Sequence, residues 1–137
     1  TAEIGKGAST VAAYRQVRAR MVELQQEMAR EHSVIMDGRD IGTHVLPNAD
    51  VKIFLTASAH TRAIRRCMEL AAAGQDVTPE GIEEDIEKRD YQDSHRAVSP
   101  LRQADDAVLL DNGDLTLEET ADAIISICRE KFPGFDA

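Results

Sequence analysis

Short apolar runs alternate along this chain with segments whose apolar residues recur every three or four positions. Val11, Tyr14, Val17, Met21, Leu24 and Met28 form such a stripe and predict a long helix over residues 10–31, capped by Ser9. Val34-Ile35-Met36 runs straight into Asp37-Gly38, which predicts a buried strand over 33–37. Residues 41–48 are expected to be a connection, with Pro47 disfavouring helix. Val51-Lys52-Ile53-Phe54-Leu55-Thr56 is short, apolar and β-branched, the pattern of a second strand. Ser58 then caps a helix over 59–73 that Gly74 ends. On it, Arg62, Arg65 and Arg66 share one face, and Ile64, Cys67, Met68 and Ala71 cover the other.

Thr78-Pro79-Glu80 opens the next helix with a cap and a first-turn proline, and that helix should reach about Asp93. Its apolar surface is little more than Ile82 and Ile86, so it is expected to pack lightly and to move. Residues 107–111 read as a third strand, turned by Asn112-Gly113. Thr116 and Glu119 have capping-box spacing and open a last helix with Ala121, Ile124, Ile125 and Cys128 inward. Strands alternating with helices imply an α/β fold with a parallel sheet and right-handed crossovers.

Composition narrows the class without changing that picture. The 137 residues are 42% hydrophobic and 30% charged, as for one soluble domain. There is no apolar run of 18 residues and no charged-then-apolar leader, so neither a membrane span nor secretion is expected. Cys67 and Cys128 lack metal spacing and read as reduced core thiols of a cytosolic protein. His32, His44, His60 and His95 lack zinc spacing and read as surface or loop residues. A net charge of −9 argues against nucleic-acid binding. The arginines are nonetheless concentrated in the middle of the chain, where they could meet a small polyanion.

Candidate chemistry sits in four places. The first is Asp37-Gly38-Arg39-Asp40 at a predicted strand end, where α/β sheets bind ligands. A carboxylate there can hold a hydrated metal ion, and the Arg39 fork suits phosphate; an ion-paired turn is the plainer reading. The second is the arginine face of residues 62, 65 and 66, which on its own is most often a solvated surface. The third is Arg89-Asp90-Tyr91-Gln92-Asp93-Ser94-His95-Arg96, and the fourth is the pair Ser9 and Arg18 on one helix. Phosphoryl transfer needs such groups, because its transition state spreads charge over oxygens and catalysis is mostly positioning and charge stabilisation. No nucleophile pattern is present. Gly5-Lys6-Gly7-Ala8-Ser9-Thr10 lacks the G-x-x-x-x-G-K-[ST] spacing of a phosphate loop and follows no apolar strand.

From Ser9 onward the chain resembles the bacterial cytidylate kinases, within the nucleoside monophosphate kinase family. The resemblance rests on residues 9–18, on Asp37-Gly38-Arg39-Asp40-Ile41-Gly42-Thr43, on Val51-Lys52-Ile53-Phe54-Leu55, on Arg62-Ala63-Ile64-Arg65-Arg66, and most specifically on Lys88-Arg89-Asp90 through Arg96-Ala97-Val98-Ser99-Pro100-Leu101. It implies a P-loop NTPase-like three-layer α/β/α fold with a parallel sheet, here without the family's first strand and phosphate loop. That strand belongs between the strands at 33–37 and 51–56. Residues 1–32 then end the CMP-binding domain, 33–57 and 97–137 are core, and 58–96 are the lid region.

The implied activity is transfer of the γ-phosphoryl of ATP to CMP or dCMP with Mg2+. Ser9 and Arg18 resemble the base-reading residues, and Asp40 the acceptor for the cytosine amino group. Arg39 and Arg96 resemble ligands of the CMP phosphate, Arg89 and Asp93 the sugar-contacting pair, and Asp37 the carboxylate that holds the Mg2+ hydration shell. Arg62, Arg65 and Arg66 resemble lid arginines that close over ATP. The resemblance further implies a cytoplasmic, monomeric intact enzyme. The 137 residues alone are expected to be inactive and not to form a native-like monomer with a gap: a second copy fills the slot by strand exchange, the strands rearrange, or further N-terminal residues occupy it. The rivals are a kinase of this fold with another acceptor, and a non-catalytic nucleotide-binding or assembly fragment.

Overall fold

The computed structural model describes residues 14–135 and Gly7. Its elements are α1 (Arg15–Glu31), a π-helical turn (Ile41–Val45), β1 (Ile53–Thr56), α2 (Ala59–Ala72), α3 (Pro79–His95), β2 (Val108–Asp111) and α4 (Leu117–Lys131). β1 and β2 pair in parallel, with Ile53 opposite Val108 and Thr56 opposite Asp111. The ladder is extended at both ends, where Val108 N–H donates to the Lys52 carbonyl and Asn112 N–H to that of Thr56, each at 2.9 Å. This is the parallel α/β arrangement the alternation predicts.

The helix ends follow local chemistry. Ser58 Oγ accepts the Thr61 N–H at 3.0 Å, one of the first-turn donors with no intrahelical partner. At the other end of α2, Gly74 takes φ +76°. Gln75 N–H then reaches the Leu70 carbonyl and Gly74 N–H that of Ala71, the two bonds of a Schellman stop. Thr116 and Glu119 form the full reciprocal capping box of α4. Thr78 occupies the cap position of α3, but its hydroxyl makes no capping bond, so Pro79 alone marks that start.

Several expectations are corrected. Residues 33–37 form no strand, and Ile35 is 98% exposed. A strand is held by its ladder, and among the described residues nothing pairs with this run. Residues 41–45 are helical after all: His44 and Val45 N–H both donate to the Asp40 carbonyl, and the turn closes before Pro47. The stripe of α1 is mostly exposed, and α1 buries no residue, because among the described elements little beyond the π-helical turn leans on it. The Ser9 cap and residues 10–13 of the expected helix lie outside the described residues.

On α2 the buried residue is Ala63, while Ile64 and Met68 face outward. On α4 it is Thr120, whose hydroxyl donates to the Thr116 carbonyl at 2.7 Å, and Ala121 is exposed. The small core among the described residues is Val45, Ala57 and Ala63. Ala63→Leu is therefore expected to destabilise the chain by about 1–3 kcal/mol, since added methylenes have no void to enter. An unchanged urea midpoint would show that the α2 contact is looser than its burial indicates.

Candidate functional site

The π-helical turn sets the first half of the site. Its closing bonds use the Asp40 carbonyl, which fixes the Asp40 backbone and turns its side chain toward α1. Asp40 is only 8% exposed, and its Oδ2 accepts from Arg18 Nη2 on α1, 22 residues away in sequence. The carboxylate's charge is thus answered by a guanidinium in a half-buried setting, where the pair is screened less than at the surface. Arg18 Nε is buried beside it and has no acceptor among the described residues.

The C-terminal end of α3 sets the second half. Arg39 Nε donates to Asp93 Oδ2, and Arg96 Nη1 lies 3.9 Å from Asp93 Oδ1. The chain leaving α3 folds back on this cluster. Leu101 N–H bonds the Asp93 carbonyl at 2.8 Å, and Arg96 Nε bonds the Ser99 carbonyl at 2.5 Å. Ser99 sits at φ +50°, a left-handed conformation that costs a non-glycine residue and persists only where the surroundings hold it. Arg96 Nη2 is left buried without a partner. Arg18 Nε and Arg96 Nη2 are the two such side-chain atoms among the described residues, and both belong to residues the sequence singled out.

A separate clamp ties α2 to α3. Arg62 grips Asp90 with two bonds, Nη1 to Oδ1 at 3.0 Å and Nη2 to Oδ2 at 2.5 Å, while its Nε reaches the Ala57 carbonyl at 3.0 Å. His60 and Glu83 add a contact at 2.9 Å between the same helices. The Asp90 carboxyl is held below its usual range mainly by the Arg62 hydrogen bond. Partial burial opposes this, and the charges of Arg62, Arg39 and Arg89 add to it. A carboxyl depressed on folding contributes stability that is present above its unfolded pKa and lost as pH falls through the folded one. The α2–α3 contact is therefore expected to weaken only below the ordinary carboxylate range. Urea midpoints against pH test this, and Asp90→Asn should flatten that acid limb.

Of the remaining predicted residues, Asp37 and Arg89 are exposed. Arg66 pairs with Glu69 on its own helix at 2.8 Å, so the three arginines of α2 go three different ways. Arg65 reaches the turn after β2. Ser9 lies outside the described residues. Sequence reasoning missed Asp90 as the partner of Arg62 and the Ser99 carbonyl as that of Arg96. Asp90 stood in a motif the sequence singled out, but its partner did not show there, being 28 residues away; only the packing of α2 on α3 joins them. Two shallow clefts, of about 360 and 140 Å3, share Thr43 and Arg102 in their walls, and none of the predicted site residues lines them.

Among the described residues no three His, Cys, Asp or Glu side chains come together as a metal cage. Mg2+ bound largely through substrate phosphates and water needs only one or two carboxylates, and Asp37, exposed and without an ion pair among the described residues, fits that lesser role. Nor does any helix among the described residues have the length and apolarity to cross a membrane.

The parallel pair with its helices and arginine–carboxylate clusters is a portion of a nucleoside monophosphate kinase-type α/β fold. The family model described as cytidylate kinase matches residues 1–130, and the chain belongs to that family. Proteins named cytidylate kinase from Lactobacillus johnsonii, Desulfitobacterium hafniense and Bacillus subtilis are 53%, 50% and 50% identical to it. The alignments cover 96%, 94% and 96% of this chain but 57%, 56% and 58% of the relatives. The chain thus spans little more than half the length of these curated relatives.

Proposed function

We propose that these residues form the acceptor site and lid of a kinase that transfers the γ-phosphoryl of ATP to CMP or dCMP. The observation that carries the reading is the pair of buried guanidinium donors that have no partner among the described residues. Leaving such a donor unsatisfied costs about 1–3 kcal/mol, which a ligand's acceptor atom would remove. Arg18 Nε belongs to the guanidinium that pairs with Asp40, and Arg96 Nη2 to the one that faces Asp93, the partner of Arg39.

In this reading Asp40 accepts from the cytosine amino group, Arg18 and Ser9 hold the other edge of the base, and Arg39 with Arg96 binds the CMP phosphate. Asp93, with Arg89, takes the sugar hydroxyls, and its carboxylate stands between the two phosphate-binding arginines. Arg62, Arg65 and Arg66 belong to the lid region of residues 58–96, whose closure excludes water and gathers positive charge where the transferring group becomes more negative. Residues 1–32 end the CMP-binding part, and 33–57 with 97–137 form the core. Asp37 would hold the hydration shell of a bound Mg2+, which would supply charge neutralisation at the ATP phosphates. No residue of this chain acts as a nucleophile, since the CMP phosphate oxygen is itself the attacking group.

These residues contain no G-x-x-x-x-G-K-[ST] loop, so the 137-residue chain alone is expected to bind CMP without turning it over. Calorimetric titration of the chain with CMP and UMP tests the acceptor assignment. Preference for CMP is the expected result, and equal affinity would remove Asp40 from the base site. A chain of the relatives' length carrying these residues should form CDP from CMP, ATP and Mg2+. Failure to do so, with CMP binding intact, would favour a non-catalytic nucleotide-binding or assembly role.

A further inference from the structure

The Arg65 guanidinium is spent on backbone. Its Nη2 donates to the carbonyls of Asn112 at 2.6 Å, Gly113 at 3.2 Å and Leu115 at 3.2 Å, while Nη1 lies 3.3 Å from Asn112 Oδ1. Those groups make up the turn between β2 and α4, which stands at the carboxyl end of a parallel strand, the edge where α/β sheets bind ligands. The turn also has its own brace, because Asp111 Oδ1 accepts the Gly113 N–H at 2.8 Å. Leu115 directly precedes the capping box of α4. Three carbonyls converge on the one nitrogen Nη2 and share its two hydrogens, while the second nitrogen of the fork faces the Asn112 side chain.

We propose that Arg65 is a positioning residue: it locks the Asn112–Leu115 turn and pins α2 to the carboxyl edge of the sheet, rather than touching phosphate itself. Arg62, anchored to the Ala57 carbonyl at the end of β1, makes the companion attachment. Together they tie α2 to the carboxyl ends of both strands, which fixes where Arg62 and Arg66 start from when the lid closes. The kinetic part of this inference rests on the function proposed above, and its structural part does not.

The test has two arms. Amide exchange on the 137-residue chain should show residues 112–116 exchanging at least tenfold faster in Arg65→Ala and in Arg65→Lys, with no change in Arg66→Ala. Unaltered exchange in both Arg65 variants would overturn the proposal whatever the protein's activity. In a chain of the relatives' length, Arg65→Lys should lose turnover as fully as Arg65→Ala, because lysine has no second nitrogen for Asn112 Oδ1 and its shorter side chain ends before the position of Nη2. Recovery of turnover by lysine would instead identify a charge that meets phosphate, and the positioning role would be wrong. If no variant and not even the parent forms CDP, the function proposal fails while the exchange arm still decides the role of Arg65.

Discussion

Asp40→Asn, in a chain of the relatives' length, is expected to raise the Michaelis constant for CMP by roughly one to two orders of magnitude and to affect UMP less. A good base contact carries about 1–3 kcal/mol of discrimination, and an amide turned to donate would face the donor on cytosine N4. The structure adds a second cost. Asp40 is the partner of Arg18, whose Nε is already without an acceptor among the described residues, so the substitution leaves a half-buried guanidinium with less to bind. Breaking a fully buried pair costs about 3–5 kcal/mol. Arg18 retains a quarter of its side-chain exposure, which lets water take part of that load, so the stability loss should fall well short of it. Thermal unfolding with and without CMP separates the two costs. Equal losses for CMP and UMP, at unchanged stability, would take Asp40 out of base recognition.

The 137-residue chain by itself is expected to associate with further copies rather than behave as a stable monomer. β1 has a ladder partner on one side among the described residues, and the run Val34-Ile35-Met36, which reads as a strand, has none. Leu55 is 50% exposed and Leu109 57%, in strands of four residues each. An apolar strand with a bare edge is a template for another chain, and each backbone group left unpaired in an apolar layer costs about 1–3 kcal/mol. Exchange of strands with a second copy relieves both. Sedimentation velocity over a concentration series should show reversible growth, with slow amide exchange at 33–37 appearing only in the larger species. A monodisperse monomer protected at both 33–37 and 53–56 would sink the idea. In a chain of the relatives' length the same residues are expected to be covered and the association lost.

What the sequence determined alone was local and periodic. The Ser58 cap, the Gly74 stop and the Thr116–Glu119 box depend on neighbours one to five residues away. Such interactions are written in spacing. The acidic and basic residues of the site were legible for a related reason, because Asp37-Gly38-Arg39-Asp40 and the run from Arg89 to Arg96 are motifs of adjacent positions.

Tertiary structure decided the pairings. Arg18 with Asp40, Arg39 with Asp93 and Arg62 with Asp90 join residues 22, 54 and 28 positions apart, and several other carboxylates were equally available to each arginine. The three arginines of α2 are equivalent by helical spacing. Only packing sends Arg62 to α3, Arg65 to the turn after β2 and Arg66 along its own helix. Burial was decided the same way. An apolar residue is covered only where another element lies against it, so Ala63 is enclosed while Ile35 and much of the α1 stripe are open to water. Periodicity states which face could be buried; the neighbour that does or does not arrive settles whether it is.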